Sequence, residues 1–189
     1  LDLCAAPGGK TMQLAAAGAV TRAIDISPTR LSRVEENLRR TQLQAQLEAQ
    51  DALEHGGESY DIVLLDAPCS ATGTIRRHPD LPYAKDGSDF FELIELQGRM
   101  IDHAISLLNP GGRLVFCTCS LLPDEGECQI EEALKRHSGL KIDHSALETD
   151  IVDSQMKAAP EGLRLRPDML SDKGGLDGFF ISILRWDGQ

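Results

Sequence analysis

Two cysteines stand in settings that suit nucleophilic chemistry: Cys69 within Asp66-Ala-Pro-Cys-Ser70, and Cys119 within Thr118-Cys-Ser120. Each follows a β-rich run, Tyr60–Leu65 and Arg113–Thr118, so each thiol falls where a strand ends. If those strands are neighbours, their ends lie about 5–10 Å apart and both thiols reach one pocket. A thiolate that adds to carbon 6 of a cytosine turns the ring into an enamine, whose carbon 5 can attack a methyl group carried on a sulfonium. Loss of the carbon 5 proton and elimination of the cysteine then restore the ring. A free thiol has a pKa of about 8.5, so a site using it should lower that value. Asp66, three residues before Cys69, is placed to hold the N3 and amino edge of such a base. Spacing alone does not say which thiol attacks. Strand-end cysteines are also small buried hydrophobes, the reading that suits Cys4 and Cys117.

Other strand ends carry residues that suit a nucleoside cofactor. In an open parallel sheet, ligands bind beyond the carboxyl ends of the strands. Cys4, Ala5, Ala6, Pro7, Gly8, Gly9 and Lys10 follow the first apolar run, and their small side chains allow close approach to the backbone. Asp25, closing the second run, can accept from both hydroxyls of a ribose, and Asp51, after the third, can accept from an adenine amino group. Asp and Gly are also ordinary turn formers, so the set carries more weight than any member. A P-loop nucleotide hydrolase is the rival, with Gly9-Lys10-Thr11 opening a helix and Ile62–Asp66 as its aspartate strand. That pattern requires a glycine where this chain has Cys4, and it leaves Asp25 unexplained. A non-catalytic cofactor-binding scaffold is a third reading, against which the pair of thiols counts.

The elements that must hold these residues alternate between short apolar runs and helical patterns, which predicts an α/β domain with a mostly parallel sheet. Strands are expected at Leu1–Cys4, Ala23–Ile26, Gln46–Ala49, Tyr60–Leu65 and Arg113–Thr118, with a final strand at Gly178–Trp186 that pairs with Leu163–Arg166. Helices are expected at Lys10–Ala17, after the Ser27-Pro28 cap, at Phe90–Leu108 and at Pro123–His137. In the last of these, Asp124, Glu125 and Glu127 lie near the positive end. Leu31, Val34 and Leu38 form the buried stripe of the second helix. Ala71–Asp89 reads as a long loop, Asn109-Pro110-Gly111-Gly112 as a turn, and Leu140–Pro160 has little pattern.

The 189 residues suffice for one domain, and none of the apolar runs is long enough to cross a bilayer. Opening inside a strand, the chain is expected to lack sequence upstream. Five cysteines without a secretory signal point to reduced thiols in the cytoplasm. Cys117, Cys119 and Cys128 have no histidine following at ligand spacing, so no metal is expected. A net charge of −11 argues against nucleic-acid binding by the surface as a whole. An RNA substrate would need a local basic strip, for which Arg76, Arg77 and His78 are candidates. Arg30 admits two readings, a cofactor-site residue or a solvent-facing charge like Arg33, Arg39 and Arg40, offset by Glu35 and Glu36.

The motifs Cys4–Lys10, Asp66–Ser70, Gly73-Thr-Ile-Arg-Arg-His-Pro-Asp80, Thr118-Cys-Ser-Leu-Leu-Pro123 and Asp177-Gly-Phe-Phe180 together resemble the Sun (NOL/NOP/Sun) family of RNA cytosine-5 methyltransferases. The likeness spans essentially the whole chain and is weakest over Leu140–Pro160. It implies a Rossmann-like methyltransferase of class I over residues 1–189, its seven-stranded sheet mostly parallel with an antiparallel last strand and helices on both faces. It implies S-adenosylmethionine bound by Cys4–Lys10, Asp25, Asp51 and Asp66, with Lys10 near the cofactor or the target base. It implies that Cys119 forms the covalent adduct and that Cys69 assists release of the methylated base. Its implied partner is RNA, rRNA foremost and tRNA as the alternative, with no membrane and no obligate protein partner. Family members carry an RNA-binding region ahead of the first strand, which this sequence does not contain.

Overall fold

The computed structural model describes residues 1–84, 86–148, 152, 156 and 158–188. Strand β1 (Asp2–Leu3) leads into helix α1 (Gly9–Ala16), and β2 (Arg22–Asp25) leads into α2 (Pro28–Thr41). Ser27 caps α2 by accepting the Arg30 N–H at 3.3 Å, Pro28 occupies the first turn, and Gln42 closes it in the left-handed region. The predicted stripe of Leu31, Val34 and Leu38 is buried and packs on Ala6, so α2 braces the loop after β1.

The chain continues through β3 (Gln46–Ala49) and β4 (Tyr60–Asp66), a short helix α3 (Leu81–Ala84) and the long helix α4 (Phe90–Ser106). Gln97, Met100, Ile101, Ala104 and Ile105 form the buried face of α4, the spacing of one side of a helix. The predicted loop over residues 71–89 is therefore not wholly irregular, since it holds α3 and a 3-10 turn at Thr72–Thr74.

Strand β5 (Leu108–Thr118) begins earlier than expected. Residues 109–112, read as a turn, sit inside it as an irregularity: Tyr60 pairs with Leu108 and Ile62 with Arg113, so the chain bulges between the two pairs. The predicted helix at Pro123–His137 is divided into a 3-10 turn at Pro123–Glu125 and helix α5 (Glu127–Arg136). The division has a physical cause. Glu125 is turned inward by hydrogen bonds to Ser70 and Gln97, and its carbonyl accepts from the Thr118 hydroxyl, which together hold it off the helical path.

The remaining strands are β6 (Leu140–Ile142), β7 (Ala158–Ala159), β8 (Gly162–Leu165) and β9 (Phe179–Trp186). Part of the weakly patterned Leu140–Pro160 stretch lies outside the described residues. The sheet runs β3-β2-β1-β4-β5-β9-β8-β7, with β6 pairing β9. The first five are parallel and β9 runs antiparallel to β5, the Rossmann-like arrangement expected, with short β6 and β7 extending the seven strands. Leu3, Ile24, Leu65, Leu114 and Phe116 fill the core, where Phe116 meets Phe180 edge to face at 6.4 Å. Among the described residues no helix is long and apolar enough to cross a membrane.

Candidate active site

The carboxyl ends of β1, β2, β4 and β5 lie side by side, and the loops leaving them, with Asp51 after β3, enclose a cavity of about 340 Å³. The loop after β1 is built for close approach. Cys4 lies at φ 61°, the Ala5 N–H donates to the Ile24 carbonyl at 2.9 Å, and Gly8 at φ 96° passes against α2. A Cβ on Gly8 would stand 2.8 Å from Val34 Cγ1, so only glycine suits both the backbone and the space.

Asp25 organises this loop. Its Oδ2 accepts the Ala6 N–H at 3.1 Å, its Oδ1 accepts the Ser27 N–H at 3.0 Å, and its side chain is 1% exposed. Arg30 donates to the Ala6 carbonyl at 2.8 Å and lies 3.6 Å from Asp25 while remaining 55% exposed. The Arg30 guanidinium thus faces solvent and also flanks the cavity. Asp51 lines the same cavity and caps a 3-10 turn through the Leu53 N–H at 2.9 Å.

Cys4, Ala6, Asp25, Arg30, Asp51 and Asp66 stand in the cavity wall with Cys69 and Cys119. Ala5, Pro7, Gly8, Gly9 and Lys10 shape the loop behind it. Lys10 Nζ donates to Asp66 Oδ2 at 2.7 Å and sits 5.3 Å from the Phe179 ring centre. Burial pulls the Lys10 pKa down, but the hydrogen bond and charge of Asp66 outweigh it and the net direction is up. Arg76 and Arg77 lie apart on an exposed loop, both directed at Asp177, with Arg77 Nε 2.6 Å from its Oδ2; His78 is exposed beside them.

The register of β4 against β5 sets the thiols. Asp66 pairs with Cys117, so the chain segments that leave the two strands run together. Cys69 Sγ stands 3.5 Å from Cys119 Sγ. The hydrogen bond with Cys69 lowers the Cys119 pKa to about 7, against the upward push of burial and of Asp66. Cys69 moves the opposite way, raised first by that same bond and then by burial. Burial pushes Cys4 up to about 12 and holds Cys117 well above the ordinary thiol range, which disfavours a thiolate at either. Of the two facing thiols, Cys119 is therefore the more acidic.

Gly73 closes the arrangement from outside. Its N–H donates to the Cys119 carbonyl at 2.9 Å and its carbonyl accepts from the Gly178 N–H at 2.8 Å, a packing with no room for a side chain. Sequence reasoning missed Leu96 and Met100 of α4 in the cavity wall, and it read Glu125 only as an acid near a helix start, when its side chain is buried behind the thiols. The helical periodicity of α4 was the one signal that pointed to the first two.

The chain matches the family described as 16S rRNA methyltransferase RsmB/F over residues 1–185. It is 41% identical over 191 aligned positions to the ribosomal RNA small subunit methyltransferase B of Erwinia tasmaniensis, covering 97% of this chain and 41% of that protein. It is 50% identical over 143 positions to the protein of the same name from Yersinia pseudotuberculosis, covering 72% of this chain and 33% of the relative. It thus spans well under half the length of these curated relatives. Its fold superposes on the crystal structure of NSun6 from Pyrococcus horikoshii with SFG at a TM-score of 0.84 and 31% identity, covering 100% of this chain and 47% of that one.

Proposed function

Because the chain belongs to the 16S rRNA methyltransferase RsmB/F family, we propose that it forms the catalytic domain of an enzyme that methylates carbon 5 of a cytosine in RNA, 16S rRNA foremost, with S-adenosylmethionine as donor. The observation that carries this reading is the 3.5 Å approach of Cys69 and Cys119 in the wall of the cavity.

The residues present fit a nucleoside cofactor. The cavity volume is in the small-molecule range, three strand-end carboxylates face it, and the loop after β1 is held open by a glycine that no side chain can replace. Asp25 and Asp51 would hold the ribose and adenine, and the Cys4–Lys10 loop would hold the rest. When bound, S-adenosylmethionine supplies an electrophilic methyl group.

The chain's own groups do the remaining work. Cys119, its pKa lowered to about 7, adds as thiolate to carbon 6 of the cytosine. Asp66, tied to Lys10, holds the N3 and amino edge of the base. Once carbon 5 has taken the methyl group, its proton passes to water, the freed electron pair forms the carbon 5–carbon 6 double bond and Cys119 leaves as thiolate, a release that Cys69, adjacent to the adduct, assists. Arg76, Arg77 and His78 contact the RNA backbone. The ion pair of Lys10 with Asp66, and Cys4 in place of a glycine, weigh against the phosphate-binding alternative. The test is to incubate the chain with ribosomal RNA and methyl-labelled donor and digest to nucleosides. Label in 5-methylcytidine is expected; label confined to another nucleoside overturns the reading.

A further inference from the structure

We propose that Glu125 is the positioning residue that sets the two thiols against each other, gripping the neighbour of Cys69 with its carboxylate and the neighbour of Cys119 with its carbonyl. The proposal takes its purpose from the two-thiol reading above. Glu125 is 1% exposed. Its Oε1 accepts the Ser70 N–H at 2.9 Å and the Gln97 side-chain amide at 3.1 Å, and its Oε2 accepts the Ser70 hydroxyl at 2.5 Å. Its backbone carbonyl accepts the Thr118 hydroxyl at 2.9 Å. Ser70 directly follows Cys69 and Thr118 directly precedes Cys119, so one residue is tied to both thiol loops, one covalent step from each.

The surrounding contacts serve the same end. Gln97 also donates to the Pro68 carbonyl at 2.8 Å, which fixes the other side of Cys69. The hydroxyls of Ser70 and Ser120 meet at 3.3 Å, and Arg164 donates to the Ser120 carbonyl, which fixes the other side of Cys119. Among the described residues Glu125 has no cationic partner within ion-pair distance. A buried carboxylate held only by neutral donors is a costly way to fill space, and an apolar side chain would do that better. Its value lies in orientation, because two short loops without regular structure must keep two sulfurs in hydrogen-bond contact.

The experiment is peptide-resolved iodoacetamide labelling of the full chain across pH, without RNA or methyl donor. In the native chain Cys119 should label with a midpoint near its pKa of about 7. Glu125→Ala should let the sulfurs part, raise that midpoint and slow Cys119 labelling at neutral pH by roughly tenfold or more. Glu125→Gln should restore it, since its carbonyl keeps the Ser70 and Gln97 bonds and its amide can donate to the Ser70 hydroxyl. A residue that only stabilises the fold would lower the unfolding midpoint and leave the labelling profile in place. A folded Glu125→Ala variant with the native midpoint overturns the proposal, as does a Glu125→Gln variant displaced as far as Glu125→Ala. If Glu125→Ala does not fold, Ser70→Ala and Thr118→Val each cut one tether, and native midpoints in both overturn it. Labelling involves neither substrate, so this result and the methyl-transfer assay fail independently.

Discussion

Cys69 Sγ and Cys119 Sγ stand 3.5 Å apart in hydrogen-bond contact, and the two sulfurs belong to loops that leave neighbouring parallel strands in matched register. The bond divides the pair unequally. Cys119 becomes the more acidic thiol and Cys69 the less acidic one, although both are partly buried in the same cavity wall.

The pH dependence of methyl transfer follows from this asymmetry. With the Cys119 thiolate as the proposed reacting form, the single-turnover rate should rise with pH through a midpoint near 7 and fall roughly tenfold per unit well below it. Cys69→Ala removes the hydrogen-bond partner of Cys119 and should move that midpoint upward. Rapid-quench measurements from acid to mildly alkaline pH decide the point; a midpoint that stays put in Cys69→Ala contradicts the coupling.

Lys10 and Asp66 form an ion pair at 2.7 Å with side chains 35% and 33% exposed. At that exposure the pair contributes about 1 kcal/mol or less to folding. Lys10→Ala should therefore unfold in urea within about 1 kcal/mol of the native chain while methyl transfer drops by at least tenfold. A large loss of stability with activity retained would recast the pair as structural.

At Gly8, the left-handed backbone and the contact with Val34 act together. Gly8→Ala should destabilise the fold by about 1–3 kcal/mol and weaken binding of S-adenosylhomocysteine, measured by calorimetry. Native affinity in this variant would detach the loop after β1 from the cofactor.

Arg76 and Arg77 both converge on Asp177 and remain half exposed. In a chain of net charge −11 they are a local exception. The double replacement Arg76→Ala with Arg77→Ala should weaken RNA binding and lower its salt dependence by about one unit of slope per lost phosphate contact, with cofactor affinity unchanged. An unaltered salt slope would remove these residues from the RNA path.

What could be read beforehand was what depends on chain-local rules. Strand ends marked by Asp25, Asp51 and Asp66, the Ser27-Pro28 cap and the stripe of Leu31, Val34 and Leu38 each arise from neighbours in sequence, and the structure keeps them. The nearness of the thiols was legible because adjacent parallel strands leave little freedom at their carboxyl ends. Glu125 was not legible, since an acid after Pro123 has the form of an ordinary helix start, and its inward turn depends on Ser70, 55 residues away, and Gln97, 28 residues away. The bulge at residues 109–112 was hidden for a related reason: Gly111 at φ 83° suits a turn, but the ladder with β4 resumes after it. Strands as short as β6 and β7 carry no periodicity to detect.

Attack by Cys119 and release assisted by Cys69 are separated by trapping on RNA that carries 5-fluorocytosine, because fluorine at carbon 5 blocks the elimination that frees the enzyme. The native chain and Cys69→Ala should both give a covalent protein–RNA complex on a denaturing gel, and Cys119→Ala should give none. An undiminished complex in Cys119→Ala would show that another group attacks carbon 6.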